Sequence, residues 1–320
     1  MTMRPPLRGP QVLCLVGPTA CGKTAVACRI AGLRRVETIS CDSMQVYRGM
    51  GILTQAPTAL ERRRLRSHLT ECVDPAIEYS AARFARSARR IAASALRSGR
   101  LPMVVGGTGL YLRALLDGLF EADGAGRDEA LRQRLQAEHH EQGPGHLHAR
   151  LAAVDPDAAR RIHANDVRRL VRALEVYELT GKPISHLQPS RRGLRADHRI
   201  LTVLLDRDRE ELYRRIDERV DRMLEDGLVR QVRRLRSRKL GRTASVALGL
   251  REIGSYLDGA CSLQEAAELM RRNTRRYAKR QLSWFRHERD IVNLRVPAGE
   301  TAARTAQRVV ALMRAGGSSA

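Results

Sequence analysis

Gly17-Pro18-Thr19-Ala20-Cys21-Gly22-Lys23-Thr24 has the spacing G-x-x-x-x-G-K-T of a phosphate-binding loop. The apolar run Gln11 to Val16 before it predicts a buried strand, and the run Ala25 to Leu33 after it predicts a helix. Glycines let the backbone turn successive N–H groups toward a phosphate, and the helix N-terminus adds partial positive charge. Lys23 supplies a full charge, and the Thr24 hydroxyl can ligate Mg²⁺. The motif therefore predicts a protein that handles a phosphorylated small molecule.

Strand and helix patterns alternate through the first third of the chain. Val36 to Cys41 and Leu101 to Val105 are short apolar runs that predict buried strands, and Ala81 to Ser98 has the apolar spacing of a long helix. Such alternation requires parallel strands with helices packed on both faces. The predicted fold class is α/β, with a parallel P-loop sheet as the core, a helical insertion domain and a helical C-terminal region.

The middle of the chain has helical patterns only. Strand patterns are missing from residue 119 to residue 196, and Ile200 to Leu205 then returns as one apolar strand. We therefore expect a core in two parts, residues 1–118 and 197–320, separated by a helical insertion domain at 119–196. The resumed core is expected to contain that one strand followed by helices at Glu210 to Asp226, Leu228 to Lys239, Leu263 to His287 and Ala302 to Ala315.

Composition excludes several classes of protein. No window of eighteen consecutive apolar residues occurs, which predicts no transmembrane helix, and Met1 to Pro10 lacks the apolar region of a signal peptide. The six cysteines form no C-x-x-C pair, which argues against a disulfide framework and against zinc. We expect a cytoplasmic monomer without membrane association.

The charge balance predicts a polyanionic partner. The net charge is +23 and the isoelectric point is about 11.1, although most of the 58 basic residues are arginine, a skew that genome composition can cause. Between Leu263 and His287, basic residues alternate with Tyr277, Trp284 and Phe285. Arginines bind phosphates while aromatic rings stack on bases, so this segment is typical of RNA contact. A second basic cluster, Arg168 to Arg172, lies in the predicted insertion.

Chemistry is expected where the predicted strands end, because reactive groups of such sheets collect at the carboxyl edge. Asp42 follows the second strand, and Gly106-Gly107-Thr108-Gly109 follows the third. Asp42 can be a general base or a ligand of Mg²⁺-bound water, and it can also be a helix cap. The third strand is not followed by the acid that a motor or signalling NTPase needs to hold Mg²⁺. Transfer of a group from a phosphorylated donor fits better than ATP hydrolysis.

On these residues, the chain resembles the bacterial tRNA dimethylallyltransferases, and the resemblance extends from Val12 to beyond Arg286. The resemblance rests on five segments in chain order: Gly17 to Thr24, Asp42-Ser-Met-Gln-Val-Tyr47, Gly106-Gly-Thr-Gly-Leu-Tyr111, Arg169 to Tyr177 with Thr180-Gly-Lys-Pro183, and Arg275-Arg-Tyr-Ala-Lys-Arg-Gln-Leu-Ser-Trp-Phe-Arg286. It implies transfer of a dimethylallyl group from its diphosphate to N6 of the adenosine just 3′ of the tRNA anticodon, with release of diphosphate.

The resemblance also implies a role for each motif. Residues 17–24, with Mg²⁺ at Thr24, would hold the diphosphate together with Arg215 and Arg219. Lys23, Asp42 and Thr108 would be catalytic, with Asp42 taking the N6 proton. The residues implied in tRNA binding are Asp42, Ser43, Met44 and Gln45 around the adenine, and Arg132, Arg168, Arg169, Leu170, Val171, Arg172, Val246, Gly249, Arg251, Lys279, Arg280, Gln281, Trp284 and Arg286 on the anticodon stem-loop.

Four positions depart from the family's pattern. Cys21 replaces a usual serine, Ala56 a lysine, Ser67 the first of two histidines and Leu250 a tyrosine. Two other functions stay open at this point. One is a P-loop kinase or prenyltransferase acting on a free nucleotide, which would not require two separate basic helical clusters. The other is a non-catalytic RNA-binding P-loop protein, which would not require Asp42 and Thr108 at neighbouring strand ends.

Overall fold

The computed structural model describes residues 9–119, 128–187 and 192–315. Most of the N-terminal segment considered above therefore lies outside the described residues. Contacts between residues divide the chain into two compact units, one formed by Met1–Leu116 with Asp197–Ala320 and the other by Asp117–Ala196.

The first unit is built on a parallel sheet. Its strands in the described residues are β1 Val12–Val16, β2 Val36–Cys41, β3 Ser67–His68, β4 Leu101–Gly106, β5 Ile200–Arg207 and β6 Ile291–Val296. They pair in parallel in the order β3-β2-β4-β1-β5-β6. The predicted α/β class with a parallel P-loop sheet is confirmed.

Helices flank this sheet. They are α1 Lys23–Leu33, α2 Gly51–Thr54, α3 Ala59–Leu65, α4 Ala81–Arg97 and α5 Gly109–Leu116, and, after the insertion, α11 Arg209–Glu225, α12 Leu228–Arg236, α13 Leu250–Leu257, α14 Leu263–Arg286 and α15 Ala302–Ala315. The start of α14 is set by a capping box, in which the Ser262 side chain accepts from the Glu265 N–H and Glu265 accepts from the Ser262 N–H.

The core of the first unit surrounds the central strand. All five residues of β1 are buried, because strands of a parallel sheet are covered on both faces. Leu13 and Leu15 belong to one apolar cluster with Ile30 of α1, Ile216 of α11 and Val309 of α15. This packing holds the carboxyl end of β1, and with it the phosphate loop, on a rigid support.

One prediction about the resumed core is wrong. After the insertion the chain contributes two strands to the sheet, since β6 pairs in parallel with β5 over six residues. The sequence does not predict β6 because this strand lies at the edge of the sheet, with only Leu294 and Val296 buried. Its polar, exposed positions therefore interrupt the apolar run that marks a central strand.

The second unit is helical in its described residues. Its helices are α6 Glu129–Gln142, α7 His146–Val154, α8 Pro156–Arg161, α9 Val167–Thr180 and α10 Ile184–Leu187. They enclose their own apolar cluster, which includes Leu135, Leu147, Leu151, Leu170 and Leu174. A separate core is what allows this stretch to interrupt the sheet without contributing a strand.

Candidate active site

Three strand ends meet at one edge of the sheet of the first unit. Cys41 of β2 pairs with Gly106 of β4, and Gly106 pairs with Val16 of β1. Neighbouring strands lie about 4.8 Å apart, so the residues after β1 and β2 begin within about 10 Å of each other. The close approach requires Gly106, because a Cβ there would lie 2.1 Å from the Cys41 carbonyl oxygen. The register thus brings the predicted phosphate loop, Asp42 and Thr108 together.

The phosphate loop has the backbone geometry that its glycines predict. Gly17 has φ 150° and Gly22 has φ 97°, values that L side chains rarely adopt, and a Cβ on Gly17 would lie 2.9 Å from the Leu205 carbonyl oxygen. Ala20 is also left-handed, with φ 65°. Helix α1 begins directly after Gly22, so the N–H groups of its first turn face the loop and can bind an anion.

Lys23 reaches back across the loop from the first turn of α1. Its Nζ donates to the carbonyl oxygens of Gly17, at 3.0 Å, and of Pro18, at 2.7 Å. Carbonyl partners leave the ammonium charge uncompensated, in contrast to a carboxylate partner. The charge therefore remains available to a phosphate in the loop.

Three arginines hold the loop from the side of β5 and α11. Arg207 Nε donates to the Cys21 carbonyl at 2.8 Å, Arg215 Nε to the Ala20 carbonyl at 2.9 Å, and Arg219 Nη1 to the Thr19 hydroxyl at 3.0 Å. A trans peptide points its C=O and its N–H in opposite directions. Binding the Cys21 carbonyl therefore turns the Gly22 N–H toward the other side of the loop, as a phosphate cradle requires.

The electrostatics of this cluster favour an anion. Burial lowers the pKa of Arg219 to about 10, and burial, followed by the charge of Arg215, lowers the pKa of Arg207. Both shifts report cations that have lost water and have too little negative charge around them. A diphosphate would supply that charge. Arg207 was missing from the sequence-based site, although its place at the carboxyl end of β5, two residues after the apolar run, was a usable signal.

Asp42 and Thr108 organise the neighbouring loop. Asp42 Oδ1 accepts hydrogen bonds from the N–H groups of Met44, at 2.9 Å, and Gln45, at 3.2 Å. The Thr108 hydroxyl accepts from the Ser43 N–H at 3.1 Å. Asp42 is therefore a cap of its own turn, and its half-buried carboxylate lies where a general base is also expected. The two roles require different variants to separate them.

Tyr277 of α14 lies next to Asp42 and Thr108. Its side chain lies beside Thr108, and burial, together with the charge of Asp42, raises its pKa, so the phenol stays neutral. The Arg280 guanidinium lies 5.7 Å from the centre of the Tyr277 ring. Sequence reasoning noticed this tyrosine only as part of an RNA-binding segment. Its helical spacing from Gln281 and Trp284 was the signal that all three share one face.

The predicted RNA-contact residues of the first unit divide into two groups. Lys279, Arg280 and Arg286 of α14 are exposed, as are Arg251 and the 69% accessible Val246.

The residues of the second group contact other parts of the fold. Gln281 is buried, Trp284 lies against Gly109 and beneath the Arg113 guanidinium, and the Gln45 side chain donates to the carbonyls of Thr54 and Gln55. Gly249 is the left-handed N-cap of α13, where a Cβ would lie 2.8 Å from the Leu53 side chain. These contacts give each residue of the group a role inside the fold.

The basic cluster of the second unit divides in the same way. Arg168 and Arg169 are exposed, whereas the side chains of Leu170 and Val171 belong to the apolar core of this unit and cannot reach an RNA. A helix turns every side chain by about 100°, so five consecutive residues cannot share one surface.

Arg132 and Arg172 both bind the carboxylate of Glu175, which is 0% exposed. Burial acts to raise the pKa of Glu175, but hydrogen bonds from the two arginines outweigh it and hold that pKa below its ordinary value. These two arginines therefore stabilise the helical unit itself.

Comparison with known proteins identifies the family. The sequence model of the family described as IPP transferase matches residues 45–288. A tRNA dimethylallyltransferase of Geobacter metallireducens is 47% identical over 283 residues, which span 88% of this chain and 91% of that protein. The chain belongs to the IPP transferase family. The family membership inferred from the five sequence segments is confirmed.

Solved structures of the IPP transferase family agree in fold. A full-length tRNA isopentenylpyrophosphate transferase from Bacillus halodurans is 36% identical, with a TM-score of 0.68 and coverage of 95% of this chain and 97% of that one. A eukaryotic dimethylallyltransferase, captured acting on tRNA, is 28% identical, with a TM-score of 0.78 and coverage of 94% and 77%. No described helix of the present chain is long and apolar enough to cross a membrane.

Proposed function

We propose that this protein is a tRNA dimethylallyltransferase. It transfers the dimethylallyl group of dimethylallyl diphosphate to N6 of the adenosine on the 3′ side of the anticodon and releases diphosphate. The observation that carries the proposal is the meeting of three loops at one sheet edge. A phosphate loop held by Arg207, Arg215 and Arg219 lies beside the loop after β2, which presents Asp42, and the loop after β4, which presents Thr108.

The reaction joins the exocyclic nitrogen to the first carbon of the dimethylallyl group while the bond from that carbon to the diphosphate oxygen breaks. Asp42 accepts the proton that N6 loses. Lys23 and the arginines stabilise the charge that develops on the leaving diphosphate, because fixed cations interact more strongly with it than mobile water does. Thr108 holds the Asp42 loop in place through the Ser43 N–H.

We also propose Mg²⁺ as a companion of the diphosphate. The described residues contain no group of three or more His, Cys, Asp or Glu side chains able to hold a metal ion without help. Mg²⁺ usually keeps several waters and binds through one or two protein oxygens together with substrate phosphates. The Thr24 hydroxyl, in the first turn of α1, would be such a ligand, and the bound ion would neutralise diphosphate charge.

Two exposed basic surfaces support tRNA as the acceptor, one on α14 with Lys279 and Arg280 and one on α9 with Arg168 and Arg169. Backbone phosphates provide the negative charge that such surfaces bind. Because tRNA is the proposed acceptor, we place the enzyme in the cytoplasm.

The decisive experiment incubates purified protein with dimethylallyl diphosphate, Mg²⁺ and unmodified tRNA, followed by mass analysis of the nucleosides. We expect one adenosine per tRNA to gain one dimethylallyl group in place of a hydrogen, with release of one diphosphate. Parallel reactions offer AMP as the acceptor, and ATP as a phosphoryl donor to AMP. Prenylated AMP or ADP formation, with unchanged tRNA, would establish one of the free-nucleotide functions instead.

Inactivity with every acceptor, combined with tight tRNA binding, would establish the non-catalytic RNA-binding function. The Lys23→Ala variant is the matched control for the prenyl transfer reaction, because it removes a charge from the phosphate loop and leaves the basic surfaces of α9 and α14 intact.

A further inference from the structure

One face of α14 contacts three successive residues of the glycine-rich loop after β4. Tyr277 lies beside Thr108, Gln281 Nε2 donates to the Gly107 carbonyl at 2.9 Å, and Trp284 lies against Gly109, where a Cβ would be 2.1 Å from its Nε1. These three residues are spaced i, i+4 and i+7, which places them on one side of the helix. The loop is therefore docked residue by residue onto α14.

Gln281 also reaches the phosphate loop. Its Oε1 accepts the Thr19 N–H at 2.8 Å while its Nε2 donates to Gly107, so both ends of one side-chain amide are occupied by backbone groups of different loops. Gln281 is 7% exposed. The Thr19 hydroxyl is held at the same time by Arg219. One amide thus bridges the loop after β1 and the loop after β4.

The opposite face of α14 is basic and exposed. Lys279 and Arg280 lie two residues and one residue before Gln281, respectively, and are exposed to solvent.

We propose that Gln281 is a positioning residue that sets the distance between the diphosphate loop and the Thr108 loop, and that it does so instead of contacting tRNA. The proposal rests on the proposed function for the identity of the substrates. Its physical reason is that loops at strand ends lack ladder hydrogen bonds, so their relative placement depends on side-chain ties such as this amide.

The test is the Gln281→Leu variant, which keeps the volume and removes both hydrogen bonds. The probe is inorganic pyrophosphate, measured by calorimetric titration, with anisotropy of a labelled anticodon stem-loop measured separately. We expect pyrophosphate affinity to fall at least about tenfold, the factor that corresponds to 1.4 kcal/mol, and kcat to fall with it. Stem-loop affinity should stay within about twofold of the wild-type value, a change of about 0.4 kcal/mol in binding free energy.

Lys279→Leu is the matched control on the exposed face of the same helix, and it should weaken the stem-loop and leave pyrophosphate binding unchanged. A Gln281→Leu protein that loses stem-loop affinity but keeps pyrophosphate affinity would overturn the proposal in favour of an RNA contact. Unchanged values for both probes would overturn it as well. Pyrophosphate binding does not depend on prenyl transfer, so a wild-type protein that fails to modify tRNA contradicts the proposed function and leaves this measurement valid.

A double-mutant cycle covers the case in which Gln281→Leu does not fold. Gly107→Ala would place its Cβ 2.3 Å from Gln281 Nε2. We therefore expect Gly107→Ala to weaken pyrophosphate binding, and Gln281→Ala to recover part of that loss when the two are combined, because the shortened side chain removes the clash. Strict additivity of the two effects would contradict the bridge.

A conservative variant gives a second signature. Gln281→Glu keeps an acceptor for the Thr19 N–H, but it can donate to the Gly107 carbonyl only when it is protonated. Its pyrophosphate affinity relative to the wild type should rise as the pH falls, whereas a residue that only fills space would show a constant ratio.

Discussion

The two roles open to Asp42 can be separated by comparing asparagine and alanine at this position. Asp42 Oδ1 accepts the N–H groups of Met44 and Gln45. Asparagine has the same oxygen and caps as well as aspartate, but it cannot accept a proton. Alanine loses both functions.

The magnitudes of the two roles differ enough to be measured. Loss of a general base costs about 10²- to 10⁴-fold in rate, which is about 2.7 to 5.4 kcal/mol at 1.36 kcal/mol per tenfold. Loss of a cap costs about 1 kcal/mol of stability. If Asp42 is the base, Asp42→Asn and Asp42→Ala should both be at least about a hundredfold slower, and only Asp42→Ala should also lose about 1 kcal/mol of unfolding free energy.

The assay is single-turnover transfer at saturating tRNA and dimethylallyl diphosphate, so that binding does not contribute to the rate. Unfolding in urea measures the free energy of each variant, and the stem-loop affinity of both should match the wild type. An Asp42→Asn protein within about tenfold of the wild-type rate, short of the range for a lost base, would refute the catalytic assignment and leave Asp42 as a cap.

Lys23→Ala should weaken binding of dimethylallyl diphosphate and leave tRNA affinity unchanged in binding titrations; the reverse pattern would contradict the diphosphate assignment. Arg168→Ala should lower the slope of log tRNA affinity against log salt by about 0.7 to 0.9, whereas exposed Arg97 serves as a control that should not change it. Arg172→Ala should change this slope less than Arg168→Ala, because Glu175 already offsets part of its charge. Glu175→Ala should destabilise the helical unit by about 3 to 5 kcal/mol, seen as faster hydrogen exchange in α9. Hydrogen bonds hold the pKa of Glu175 below its ordinary value, although burial acts to raise it. The stability that Glu175 contributes is therefore fully present above its ordinary pKa and is lost as the pH falls through the lowered pKa. The difference in unfolding free energy between the wild type and Glu175→Ala should accordingly shrink in acid.

Much of the site was readable in the sequence because its signals are local. The G-x-x-x-x-G-K-T spacing, the left-handed glycines that it implies and the apolar strand before it all lie within fourteen residues, Gln11 to Thr24. The helical character of the described insertion was also predicted, because apolar spacing repeats within its longer segments, whereas the short helix α10 was not predicted. The edge strand β6 was missed, since its burial depends on β5, which lies far away in the chain.

The roles of single arginines and glutamines could not be predicted in this way. Arg168 and Arg172 are equivalent as sequence, yet only Arg172 binds the buried Glu175, and Gln281 is separated by 262 residues from the Thr19 N–H that it accepts.

The sequence by itself determined the fold class, the phosphate loop, the strand-end positions of Asp42 and Thr108 and the family. Each of these follows from the order and spacing of residues along a short stretch of chain. Only the tertiary structure decided that β4 lies between β1 and β2, that Arg207 holds the Cys21 carbonyl, and that α14 faces two loops with one side and solvent with the other. The physical reason is that side-chain contacts across a fold depend on which elements pack together, and local periodicity records the buried face of an element but not its partner.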